Sequence, residues 1–128
     1  MTHVLVVDDA LTVRMYHCAE LAKGGFETEA AANGYEALER CLAETYDLLV
    51  VDINMPVMDG YAFLEALRSR PDAPSAFTPV VMVSTEDQRG DADRAYAAGA
   101  NVFLTKPVDG DLLRAWARML ADVPAEIG

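Results

Sequence analysis

Residues 3–14 read HVLVVDDALTVR. Four apolar residues, 4–7, run straight into two adjacent aspartates, Asp8 and Asp9. A continuous valine-rich run suits a strand buried on both faces, as in a parallel sheet covered by helices. The two acids need a separate reason. Neighbouring carboxylates repel, and burial makes each harder to ionise. One Asp would be enough to cap a following helix.

Similar runs recur at VLVV (4–7), LLVV (48–51), VVMV (80–83) and VFL (102–104). FETEAA (26–31) alternates and predicts a less buried strand. Helical spacing fills the gaps. In 11–23, Leu11, Met15, Cys18, Leu21 and Ala22 share a face, and Gly24 and Gly25 stop the segment. Segments 35–45, 60–69 and 109–121 follow, the last with Leu112, Leu113, Trp116, Met119 and Leu120 as an apolar stripe read as core. Residues 88–100, QRGDADRAYAAGA, predict a weakly packed helix, because alanine buries little area. Strand–helix repeated five times predicts an α/β domain with right-handed crossovers and helices on both faces of a parallel sheet.

The 128 residues suit one domain with one core. Apolar runs of four or five residues fall far short of the roughly 20 needed to cross a bilayer. No basic segment precedes the first run, so no signal peptide is expected and the compartment is read as cytoplasmic. A net charge of −11 argues against nucleic-acid binding, which needs a positive surface. Cys18 and Cys41 lie in helical spacing and are expected to be buried, reduced and structural. His3 and His17 have no ligand partner nearby in sequence, and neither receives a role.

In a parallel open sheet, ligands bind at the carboxyl ends of the strands. Asp8 and Asp9 follow the first strong run, Asp52 ends the second, Ser84 ends the third, and Lys106 and Pro107 follow the fourth. One rim thus collects three carboxylates, a hydroxyl and an ammonium. Clustered carboxylates call for a cation, and an oxygen-only site suggests Mg²⁺. A carboxylate can attack phosphorus to give an acyl phosphate. The metal would neutralise phosphoryl charge, and the lysine and hydroxyl would hold phosphoryl oxygens.

The segments VLVVDDA, DLLVVDINMPVMDG, VVMVSTED and GANVFLTKPV resemble, in order and spacing, the signature segments of the receiver domains of two-component response regulators. The resemblance covers about residues 3 to 121. It implies a flavodoxin-like, doubly wound, five-stranded parallel sheet in order 2-1-3-4-5 with five helices. It implies a receiver domain over 1–122 and a short tail over 123–128. Asp52 would be the phosphoacceptor, with Ser84 and Lys106 on the phosphoryl group. Asp9 and Asp52 would bind Mg²⁺ through side chains, Asn54 through its backbone carbonyl, and Asp8 through a water. The bond before Pro107 would be cis. Ser84 and Phe103 would form the switch, with Phe103 lacking a tyrosine hydroxyl. Asn54, Thr85 and Glu86 would modulate hydrolysis, Thr85 being bulkier than the usual alanine.

The resemblance further implies a histidine kinase or histidine phosphotransfer protein as phosphodonor. A downstream target protein would bind the face made by the fourth helix, fifth strand and fifth helix. Asn54, Glu86 and DDALTVRMYH favour chemotaxis-like signalling. A phosphorelay intermediate or phosphate sink, and a regulator of a kinase or stress-response partner, remain alternatives. The domain would act as a switch with its own dephosphorylation rather than as an enzyme. A flavodoxin-like cofactor-binding domain is the alternative of another class. It is disfavoured because no glycine-rich phosphate loop follows the first strand.

Overall fold

The structure is a computed structural model that describes residues 2–85 and 90–121. Its elements alternate as β1 (His3–Val7), α1 (Leu11–Lys23), β2 (Glu27–Ala31), α2 (Gly34–Ala43), β3 (Leu48–Asp52), α3 (Gly60–Arg68), β4 (Val80–Ser84), α4 (Asp91–Ala98), β5 (Val102–Thr105) and α5 (Gly110–Leu120). The strands form one parallel sheet in order β2-β1-β3-β4-β5. The expected α/β architecture and strand order are both present.

Alternation along each strand divides the core in two. Leu5, Val7, Leu49, Val51, Val80 and Met82 face residues from α2, α3 and α4. Val4, Val6, Leu48, Val50, Val81 and Val83 face residues from α1 and α5. Every residue of β3 and β4 is buried, which is why these runs carry no polar alternation before their last position. At the sheet edge β2 is mostly half-buried, as its mixed composition predicts.

Side chains set the starts of α2, α3 and α5. Asn33 accepts from the Glu36 amide at 2.8 Å, Asp59 from Ala62 at 2.8 Å, and Asp109 from Leu112 at 3.1 Å. The α4 helix has no side-chain cap and buries only Ala95 and Ala98. It closes at Gly99, whose φ of 112° is open mainly to glycine.

Two expectations about faces are corrected. Leu11 and Met15 are 59% and 62% exposed, and the buried side chains of α1 are His17 and Leu21. Met119 is 71% exposed, while Trp116 is half-buried against the α1/α5 cluster. Cys41 is buried as expected, but Cys18 is only half-buried, and both are free thiols.

The junction after β3 is held by close approach. A Cβ on Gly60 would lie 2.6 Å from the Asp52 carbonyl oxygen and 2.9 Å from the Ile53 Cα. The Gly60 amide also donates to the Ile53 carbonyl at 2.9 Å. Backbone, not a flexible side chain, would have to move. Gly60→Ala is therefore expected to destabilise the fold by about 1–3 kcal/mol, read as a lower urea midpoint. An unchanged midpoint would show that the β3–α3 junction has slack.

Candidate functional site

The carboxyl ends of β1, β3, β4 and β5 share one rim of the parallel sheet. Asp8 follows β1 and is 1% exposed; Asp52 ends β3 and is 3% exposed. Asp9 is exposed beside them. One carboxylate oxygen from each of the three lies within 4.8 Å of the others. Neither Asp8 nor Asp9 is the N-cap of α1. That position belongs to Ala10, which makes no side-chain cap, so the acidic pair is not there for capping.

The aspartates are fixed by their surroundings. Asp8 Oδ1 accepts from the Ala10 amide at 2.9 Å, and Arg14 Nη1 donates to the Asp8 carbonyl at 2.8 Å. Lys106 Nζ reaches across from the β5–α5 connection, residues 106–109. It donates to Asp8 Oδ2 at 2.7 Å and to Asp52 Oδ1 at 3.1 Å. The Lys106 amide donates to the Ser84 carbonyl at 2.7 Å, which sets the lysine beside the end of β4. The Lys106–Pro107 bond is cis, as expected.

Electrostatics mark Asp52 as unusual. Burial pushes its carboxyl up, the Asp8 charge pushes it further, and Lys106 pulls it back; the balance is a pKa of about 6. Burial disfavours the Lys106 charge. The hydrogen bond it donates to Asp8 and the charge of Asp52 outweigh that and raise its pKa, so the ammonium persists. Three carboxylates against one ammonium leave the hollow negative when all are ionised. An all-oxygen donor set of this kind suits Mg²⁺.

The remaining expected residues surround this centre. Asn54 Nδ2 lies 3.4 Å from Ser84 Oγ and 3.5 Å from Thr85 Oγ1. Ser84 is buried and Thr85 exposed. Phe103 is half-buried on β5 against the α2/α3/α4 cluster, in register with Met82. Glu86 lies outside the described residues, as does the whole of the expected 123–128 tail. In the loop after Asn54, Val57 takes a φ of 69°, a strained conformation for a β-branched residue, with its side chain exposed.

The family model of the response regulator receiver domain matches residues 4–118. The chain belongs to this family. This receiver domain is 39% identical over 118 residues to response regulator Rre1 of Synechocystis sp., covering 91% of this chain and 50% of that protein. It is 38% identical over 113 residues to chemotaxis protein CheY of Bacillus subtilis, covering 87% of this chain and 91% of that one. The solved structure of Vibrio cholerae chemotaxis protein CheY4 superposes with a TM-score of 0.85 at 34% identity, covering 94% of this chain and 98% of that one. The chain thus spans about half the length of the cyanobacterial regulator, and nearly all of the chemotaxis proteins. No helix among the described residues is long and apolar enough to cross a membrane.

Sequence reasoning missed His17, which is 2% exposed and sits in α1 on the same side as Asp8 and Lys106. A signal was available: Val13, His17 and Leu21 repeat at four residues, a stripe parallel to the one chosen.

The raised carboxyl has a consequence for stability. The folded state binds a proton at Asp52 more tightly than the unfolded chain, whose carboxyl titrates near its ordinary value. This group's contribution to stability is therefore favourable in acid and lost as pH rises through about 4 to 6. In metal-free buffer at pH 8, Asp52→Asn should be more stable than the parent by about 2 kcal/mol. The gain should shrink as pH falls to about 4.5. Urea unfolding at the two pH values checks this, and a less stable variant at pH 8 would contradict it.

Proposed function

We propose that this receiver domain is a phosphorylatable switch whose acceptor is Asp52. The observation that carries the reading is a nearly buried carboxylate at a strand end, 3.1 Å from the Lys106 ammonium and clustered with Asp8 and Asp9. An Asp52 carboxylate oxygen attacks the phosphorus of a phosphohistidine on a kinase or phosphotransfer protein. The new bond is P–O, the broken bond is P–N, and the imidazole nitrogen keeps the electron pair. Water later hydrolyses the acyl phosphate to inorganic phosphate.

Asp9 and Asp52 would hold Mg²⁺ with their side chains and Asn54 with its backbone carbonyl, and Asp8 would act through a bound water. The ion supplies positive charge that neutralises phosphoryl oxygens. Lys106 exchanges part of its pairing with Asp52 for the phosphoryl group, and Ser84 donates to a second phosphoryl oxygen. Asn54, Thr85 and Glu86 set the access of water and so the lifetime. The domain over 1–122 would work as a signalling switch in the cytoplasm, not as an enzyme with an external product.

Phosphorylation draws Ser84 toward the phosphoryl group, and Phe103 moves into the space vacated. The α4–β5–α5 face then changes shape and engages a target protein. The slight packing of α4, with two buried alanines, supports this, since moving elements come from the weakly held part of a fold. The resemblance to chemotaxis proteins supports a chemotaxis-like output.

Incubation with a small phosphodonor should label the parent chain and leave Asp52→Asn unlabelled. Full labelling of the variant would remove the assignment. Chelation of divalent metal should abolish labelling of the parent, restored by added MgCl₂. A phosphoryl mimic should alter amide exchange over residues 90–106, and unchanged exchange there would remove the switch.

A further inference from the structure

We propose that a cleft between α1 and the β5–α5 connection receives the apolar organic group of a small acyl phosphate while Asp52 takes its phosphoryl group. This rests on the reading of Asp52 as phosphoacceptor. The cleft encloses about 490 Å³, and its walls are mainly apolar, formed by Val13, Tyr16, Pro107 and Val108. Tyr16 is fixed as a wall, because its hydroxyl donates to the Val108 carbonyl at 3.0 Å.

Three observations point to this ligand. First, the 98%-buried His17 side chain lines the cleft, and no described residue hydrogen-bonds its ring nitrogens. Burial holds the ring neutral by lowering its pKa, so it offers one donor and one acceptor. Second, Lys106 lines the cleft and also touches Asp52, so the cleft and the phosphoacceptor share a cation. An anion held there has its charge at Lys106 and its carbon body among Val13, Tyr16 and Val108. Third, Asp52 is not among the lining residues. Displacement at phosphorus places the leaving group away from the nucleophile, so the organic group and the Asp52 carboxylate need no common wall.

The step balances without a further reactant. An Asp52 carboxylate oxygen forms a bond to phosphorus, the bridging P–O bond of the acyl phosphate breaks, and the donor leaves as a carboxylate. No proton or electron is required. Acetyl phosphate carries only a methyl group and cannot fill the cleft, whereas a phenyl group buries most of its surface there.

The test compares labelling by benzoyl phosphate and acetyl phosphate in MgCl₂ buffer. The ratio of their kcat/KM values is measured for the parent, Val13→Trp and Tyr16→Ala. Val13→Trp fills the cleft and should lower the ratio about tenfold, with acetyl phosphate labelling kept; Tyr16→Ala should lower it less. Benzoate alone, added to the parent, should shift the His17 ring resonances and leave those of His3 in place; these are the two histidines of the chain. An unchanged ratio in both variants, an equal fall with both donors, or an unshifted His17 ring would overturn the proposal while acetyl phosphate labelling leaves Asp52 as acceptor. Absence of labelling by either donor would instead overturn the phosphoacceptor reading, and this inference with it.

Discussion

Two buried carboxylates, Asp8 and Asp52, share one ammonium. The rest of the rim is arranged around that shortage of positive charge. Lys106 is only 12% exposed at its side chain, so all three groups have left most of their water behind. Such pairs recover little of the desolvation they cost. A core built for stability alone would place apolar groups here, as it does along the rest of β1 and β3. Burial of charge at two strand ends is what separates this rim from the opposite one, where His3 and Glu27 pair at the exposed surface.

The sheet makes the arrangement possible. Parallel strands bring the carboxyl ends of β1, β3, β4 and β5 to a single edge, and their all-apolar interiors hold register. Gly60 lets the chain after β3 pass within contact of the Asp52 carbonyl, so Asp52 is braced from behind. Among the described residues, the cation of Arg94 over the Tyr61 ring, 4.1 Å from its centroid, the Tyr61 hydroxyl donating to the Asp91 carbonyl at 3.3 Å, and Arg68 Nη2 donating to the Gly99 carbonyl at 2.9 Å join α4 to α3, beside the small apolar contact of Ala95 and Ala98. The braced part is the end of β3 that carries Asp52, and the lightly packed part is the helix next to Ser84. That division suits a site that must stay in place while a neighbouring surface moves.

Much of this was legible in the sequence. The valine-rich runs marked β1, β3 and β4 because a strand covered on both faces has no polar alternation to hide it. Asp8, Asp9, Asp52, Ser84 and Lys106 stood out because each interrupts or ends such a run. The faces of the helices were harder. Leu11 and Met15 look like core by type, yet α1 turns His17 and Leu21 inward, since helix rotation is set by what the sheet and α5 present to it. Met119 is exposed for the same reason, one position short of Leu120, where the stripe of Leu113 and Ala117 continues. The cleft around His17 was invisible from the chain alone. It is assembled from α1, the residue after β4 and the connection after β5, segments that only the fold brings together.

On the function proposed above, a divalent cation completes the negative hollow of Asp8, Asp9 and Asp52. Calorimetric titration of MgCl₂ into the metal-free protein, beside Asp9→Asn, tests it most directly. The parent should give a saturable one-site isotherm and the variant a greatly weakened one. A parent that gives only heats of dilution, or a variant that binds as the parent does, would contradict it.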